Sequence, residues 1–166
     1  MVGHIVGLGD RHGENILVDE LTGEIVHIDL NCLFWKGLTF EEPERVPFRL
    51  TPHMKDALGV TEYEGVFRRV CEITLSILRE NRDTLMSVLE PLVYDPLVEA
   101  KNKGSNAPKT EFLQAIEGIN KHLKGQFGAE GLLPLSVEGQ VHKVIEEATD
   151  EIRLCQVSFF FALFRV

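Results

Sequence analysis

The sequence predicts an α+β fold, mainly α, with one small β-hairpin near its start and helices after it. Three observations predict it. Ile16-Leu17-Val18 and Ile25-Val26-His27-Ile28 flank a turn at Thr22-Gly23, the pattern of an antiparallel hairpin. Apolar residues recur at spacings of three and four through Val66, Val70, Ile73 and Ile77, and again through Phe112, Ile116, Ile119 and Leu123; that is helical periodicity. Ser136 precedes Val137, Val141, Val144, Ile145 and Ala148, which reads as a capped helix with an apolar face.

Composition narrows the class. The 166 residues suffice for one modest domain, or a lobe with an appendage, and 44% are hydrophobic, an ordinary globular value. Acidic residues outnumber basic ones 26 to 17, for a net charge of −9. Direct nucleic-acid binding wants a basic face, so none is expected. Cys32, Cys71 and Cys155 are scattered without a CxxC, so buried free thiols in a reducing compartment are expected. No apolar run approaches the roughly 18–20 residues of a membrane span. The short apolar start has no basic leader.

Met1 to Leu8 reads as the last turns of a buried helix, a place where a domain rarely begins. Gly7 and Gly9 serve as helix C-cap and turn residues, not as a phosphate cradle. The loop Gly7-Leu8-Gly9-Asp10-Arg11-His12-Gly13-Glu14-Asn15 follows. Asp10 and Asn15 have the separation of the base Asp and the Mg²⁺-binding Asn in a protein-kinase catalytic loop. The hairpin returns Asp29 close to Asn15. One loop then holds a base and a metal ligand, and a strand end holds a second ligand, as phosphoryl transfer from Mg·ATP requires. Asp10 is the candidate base; Asn15 and Asp29 are the candidate ligands of Mg²⁺ or Mn²⁺. His12 is a candidate donor to the γ-phosphate, with a backbone-bonded loop histidine as the plainer alternative. Arg11 is expected to brace the loop rather than pair with Asp29. Glu14 reads as solvated and His27 as a structural strand residue.

The order Asp-Arg-His, with Gly-Leu-Gly before it and His27-Ile28-Asp29 after it, resembles the phosphatidylinositol-3-kinase-related protein kinase family. Val46-Pro47-Phe48-Arg49-Leu50-Thr51 and the last third of the chain are similar to that family's checkpoint-kinase branch. The resemblance runs to about Gln156. It implies the C-lobe of a kinase over residues 1–100, with the catalytic loop at 7–15 and the activation segment at 29–51. It implies a linker or regulatory insert over 101–133 and a FATC unit over 134–166. It implies ATP as cofactor, with Leu17 and Ile28 as the apolar floor beneath adenine. Asp29-Leu30-Asn31 stands where relatives carry Asp-Phe-Asn, so Leu30 departs from the pattern and altered packing is expected there.

Between Cys32 and Thr51, Lys36, Arg45 and Arg49 are matched by Glu41, Glu42 and Glu44. A lipid kinase needs a basic cluster here for inositol phosphates, so a protein substrate is expected. By resemblance, Pro47, Phe48, Arg49, Leu50 and Thr51 lie against the residue after the phosphoacceptor, where glutamine is favoured; a plain extended loop is the alternative. The expected activity is a serine/threonine protein kinase of the DNA-damage checkpoint type, acting in the nucleus on Ser/Thr-Gln proteins. Its expected partners are the upstream part of the same kinase and a regulatory subunit. No Gly-rich loop or strand lysine for phosphates precedes Asp10, so these 166 residues alone are expected to be inactive.

Further on, Thr61-Glu62-Tyr63-Glu64 reads as a capping box opening a helix. A second helix is expected from about Asp83 to Glu90, with Leu85, Met86 and Leu89 inward. Asp95-Pro96-Leu97 reads as a turn, and Lys101–Lys109 as a flexible linker. A third helix spans about Thr110 to Leu123, and Gly125, Gly128 and Gly131 break the chain after it. His142 is expected to pack or face solvent. After Gln156 the Phe-rich end departs from the family's Gly-Trp ending and reads as an altered terminus, with a membrane-interface tail as the alternative.

Two other functions are weighed. A non-catalytic interaction module fits the incomplete ATP site. A metallophosphoesterase would share Gly-Asp-x-His-Gly at residues 9–13, but its later Gly-Asp and Gly-Asn-His-Glu motifs do not occur.

Overall fold

The computed structural model describes residues 1–41, 43–91, 107–126 and 133–154. A short helix α1 (Val2–Ile5) leads into the loop and the hairpin, β1 (Ile16–Val18) and β2 (Ile25–His27). Helices follow: α2 (Pro52–Ala57), α3 (Val66–Glu80), α4 (Arg82–Leu89), α5 (Ala107–Leu123) and α6 (Val137–Thr149). The strands pair antiparallel, with Ile16 opposite His27, Leu17 opposite Val26 and Val18 opposite Ile25. Asp19 closes the turn by accepting from the Leu21 and Thr22 N–H groups at 2.9 and 2.7 Å, and these bonds hold its carboxyl below the usual range. Gly23 supplies the positive φ, +72°.

The core lies among α1, α3, α4, α5 and α6. Ile5, Cys71, Leu75, Leu89, Ile116, Ile119, Leu123, Val141 and Ile145 form it. The expected inward faces of α4, α5 and α6 are the observed ones: Leu89, Ile116, Ile119, Leu123, Val141, Val144, Ile145 and Ala148 are buried. Leu85, Met86, Phe112 and Val137 are partly buried against them. Ser136 caps α6, accepting from the Gly139 N–H at 3.0 Å. Cys32 and Cys71 are buried free thiols.

Four local expectations change. On α3 the face marked by Val66, Val70, Ile73 and Ile77 is the exposed one, from 46% to 77% open. The helix is apolar on two sides. The bulkier side, Phe67, Cys71, Leu75 and Leu78, faces the core, because it fills more volume and removes more apolar surface from water. The capping box at Thr61 does not form. Glu62–Glu64 is a 3₁₀ turn without a side-chain cap, and the Glu64 carboxylate is engaged by Arg68 instead at 2.6 and 2.8 Å. The helix α2 was not expected. Thr51 caps it from a 3.4 Å bond to the Met54 N–H and Pro52 starts it, a Thr-Pro signal visible in the sequence. The helix placed from Thr110 already begins at Ala107, within the stretch read as linker.

The turn at Asp95-Pro96, most of the linker, Gly128, Gly131, Cys155 and the Phe-rich end lie outside the described residues. Among those described, no helix is long and apolar enough to cross a membrane.

Candidate active site

The loop between α1 and β1 is assembled by Arg11. Its side chain is buried, 8% exposed. Nε donates to the Gly9 carbonyl at 2.7 Å, Nη1 to the Asn15 and Ile28 carbonyls at 3.3 and 2.8 Å, and Nη2 to the Asp29 carbonyl. One planar guanidinium therefore joins the start of the loop, its end and the hairpin's return. Arg11 braces, as expected, and does so through backbone oxygens. The hairpin ladder continues past β2, with the Ile28 N–H donating to the Asn15 carbonyl at 3.1 Å. Asn15 and Asp29 are thereby brought to one edge of the loop.

Asn15 is buried, and its Nδ2 donates to the Asp10 carbonyl at 2.9 Å. That bond ties the candidate base to the candidate ligand through the amide nitrogen, and the amide oxygen is the group's acceptor. Asp10 and Asp29 both hold left-handed backbones, φ +58° and +54°. Such conformations are uncommon outside glycine and cluster at functional sites. Asp29 Oδ1 accepts from the Asn31 N–H at 3.2 Å. His12 Nδ1 accepts from the Glu14 N–H at 3.3 Å and caps the 3₁₀ turn Gly13–Asn15. In a neutral ring this places the proton on Nε2. Both alternatives for His12 thus have a foothold: a backbone bond at one nitrogen and a donor at the other.

Leu17 and Ile28 are 49% and 40% exposed. They offer a half-open apolar surface on the hairpin that also carries the candidate ligands Asn15 and Asp29. Burial and the Arg11 charge lower the His27 pKa.

A divalent cation fits the donor types. Asn15 offers an amide oxygen and Asp29 a carboxylate, hard oxygen ligands suited to Mg²⁺. Among the described residues no group of three His, Cys, Asp or Glu side chains is arranged to hold a metal ion by itself. Mg²⁺ in nucleotide enzymes commonly takes one or two protein ligands and completes its shell with phosphates and water.

The segment after Asp29 lies back on the loop. The Gly9 N–H donates to the Cys32 carbonyl at 2.8 Å, Phe34 N–H to Val6 at 3.0 Å and Trp35 N–H to Gly7 at 2.9 Å. A side chain at Gly7, φ +64°, would collide with the Trp35 backbone. Glu44 reaches the same loop and accepts from the Asp10 N–H. Sequence reading counted Glu44 only as a charge. No local pattern marks a partner 34 residues away. Of the predicted substrate residues, Leu50 is buried and Thr51 caps α2. Phe48 packs near Phe67, ring centroids 6.1 Å apart. Pro47 and Arg49 are partly exposed.

The last helix docks on α3. Arg79 donates to the Leu135 carbonyl at 3.1 Å and to Gln140 Oε1 at 2.5 Å, and Gln140 is fully buried. His142 sits 3.4 Å from Arg68 at the surface. Between α6 and the segment is a cleft of about 480 Å³, lined by Trp35, Arg45, Pro47, His122, Lys143 and Glu147 among others.

The family Phosphatidylinositol 3- and 4-kinase matches residues 1–102, which include this loop, the hairpin and the segment. This chain belongs to that family. The FATC domain matches residues 134–157, the unit carried by α6. Protein kinase rad3 of Schizosaccharomyces pombe is 53% identical over 159 residues, covering 95% of this chain and 7% of the relative. Serine/threonine-protein kinase ATR of Arabidopsis thaliana is 54% identical over 152 residues, 89% of this chain and 6% of the relative. Among solved structures, the FAT and kinase domain of CtTel1 superposes with a TM-score of 0.77 at 42% identity, over 93% of this chain and 11% of that one. This chain thus spans less than a tenth of the length of these two relatives. Both the mainly helical fold with one hairpin and the expected family agree with these likenesses.

Proposed function

We propose that this chain carries the catalytic loop and activation segment of a serine/threonine protein kinase of the checkpoint type. The reaction is transfer of the ATP γ-phosphoryl group to a serine or threonine hydroxyl preceding glutamine. Asp10 accepts the hydroxyl proton. His12 donates to the γ-phosphate oxygens, where charge gathers. Asn15 and Asp29 hold Mg²⁺ or Mn²⁺, which when bound neutralises phosphate charge. Leu17 and Ile28 support adenine. Pro47, Phe48 and Arg49 face the substrate, while Leu50 and Thr51 anchor that wall. The observation that most supports this reading is the Arg11 clamp, which gathers the backbones of Gly9, Asn15, Ile28 and Asp29 around one guanidinium.

The proposed division is a kinase C-lobe over 1–100, an insert over 101–133 and a FATC unit from 134. The reading extends to nuclear action on DNA-damage signals, with an upstream part of the kinase and a regulatory partner subunit; the much greater length of the relatives named ATR and rad3 supports the upstream part.

The test uses the full translation product of the gene, radiolabelled ATP and paired Ser-Gln and Ser-Ala peptides. Transfer to the Ser-Gln peptide is expected, with loss of roughly 10²–10⁴-fold in Asp10→Asn. The 166 residues alone are expected to turn over no ATP, since positioning supplies most of this chemistry. A full product that binds partners yet transfers nothing would favour a non-catalytic module.

A further inference from the structure

Glu44 is partly buried and turned inward. Its backbone N–H donates to the Gly37 carbonyl at 3.1 Å. Its carboxylate enters a space kept clear by two glycines. A Cβ on either Gly9 or Gly37 would collide with Oε2, and one on Gly9 would also crowd Cys32 Sγ. Oε1 accepts from the backbone N–H of Asp10. Burial raises the proton affinity of this carboxyl, so its position has a desolvation cost. A solvated surface glutamate would not be drawn in at that cost. What the bond holds is the left-handed backbone of Asp10, φ +58°, from which the candidate base projects.

We infer that Glu44 is a positioning residue: through it the activation segment grips the backbone N–H of Asp10 and sets the aim of the Asp10 carboxylate at the substrate hydroxyl. This rests on the reading of Asp10 as base. Glu44 touches no reacting atom. It makes placement of the segment and placement of the base a single event, because a segment that lifts away removes the acceptor from Asp10. Glutamine has an acceptor oxygen at the same reach, so the role depends on the acceptor rather than the charge.

The test compares Glu44→Ala, Glu44→Gln, Gly37→Ala and the Glu44→Ala/Gly37→Ala pair in the full translation product. Glu44→Ala is expected to lower kcat by roughly 10–100-fold, the effect of a misaimed group, with the KM for ATP within about threefold. Glu44→Gln is expected to recover most of that loss. Gly37 does not use a glycine-only φ, so Gly37→Ala acts by displacing the carboxylate. It should lower kcat on its own and add nothing in the Glu44→Ala background. Amide hydrogen exchange on the 166-residue chain reads the contact without activity: Asp10 exchanges faster in Glu44→Ala and near wild type in Glu44→Gln. Wild-type kcat in Glu44→Ala overturns the inference alone, as does a Glu44→Gln no better than Glu44→Ala. If Glu44→Ala does not fold, Gly37→Ala and Glu44→Gln carry the same test. A wild-type product that transfers no phosphate sinks the kinase reading and this inference with it.

Discussion

Arg11 donates to the backbone carbonyl of Asp29, which leaves the Asp29 carboxylate outside the clamp. A side-chain ion pair would have spent that carboxylate on structure. The backbone bond fixes the position of residue 29 without using its carboxylate. The two residues should therefore separate on mutation. Arg11→Lys removes several buried hydrogen bonds and should cost roughly 2–4 kcal/mol of stability. Asp29→Asn alters an exposed group and should move stability by less than about 0.5 kcal/mol while abolishing metal-dependent phosphoryl transfer. Denaturant melts of both variants, beside activity of the full product, check this.

The two sides of α3 should answer differently to substitution. Leu75 is fully buried and Ile73 is 46% exposed. Leu75→Ala should cost about 2–5 kcal/mol, and Ile73→Ser much less. Equal losses in thermal melts would mean that the apolar stripe at Val66, Val70, Ile73 and Ile77 is the covered one.

Docking of α6 should depend on Arg79. Its guanidinium holds the Leu135 carbonyl and the buried Gln140. Arg79→Met keeps the apolar stem and leaves both acceptors unpaired, at a cost of about 1–3 kcal/mol for each buried group. Limited proteolysis should then cut near residue 133 sooner than in wild type, while cleavage at the exposed hairpin keeps its wild-type rate.

Acid should loosen the junction of α1 and α5. Burial, then the neighbouring His122 and the chain's N-terminus, lower the His4 pKa to about 4, against a bond to the Pro47 backbone that raises it. The two rings stack at 5.7 Å, and Trp35 lies 4.9 Å from His122. The folded pKa is below the ordinary 6.5, so the unfolded chain binds the proton more readily. Stability is full above about pH 6.5 and falls as pH drops toward 4. Melting temperature against pH should show this fall, and His4→Leu should flatten it.

The segment from Asp29 to Thr51 shows where local reading stops. Its balance of acidic and basic residues was legible, since that is a property of contiguous sequence. The inward turn of Glu44 was not, because its partner lies 34 residues back and glutamate on a segment ordinarily faces water. The capping box at Thr61 misled for a related reason: Glu64 had two candidate partners, and Arg68 one helical turn on provided the charged one.

The sequence by itself determined the loop spacing from Asp10 to Asn15, the hairpin with its turn, and the buried faces of α4, α5 and α6. These depend on residues a few positions apart, where backbone geometry and periodicity leave few alternatives. Only the tertiary structure decided which side of α3 is core, that Arg11 binds four carbonyls, and that Gln140 is buried on Arg79. Each is a choice among distant partners of similar local standing. That choice is made when packing volume and buried hydrogen bonds must be satisfied together.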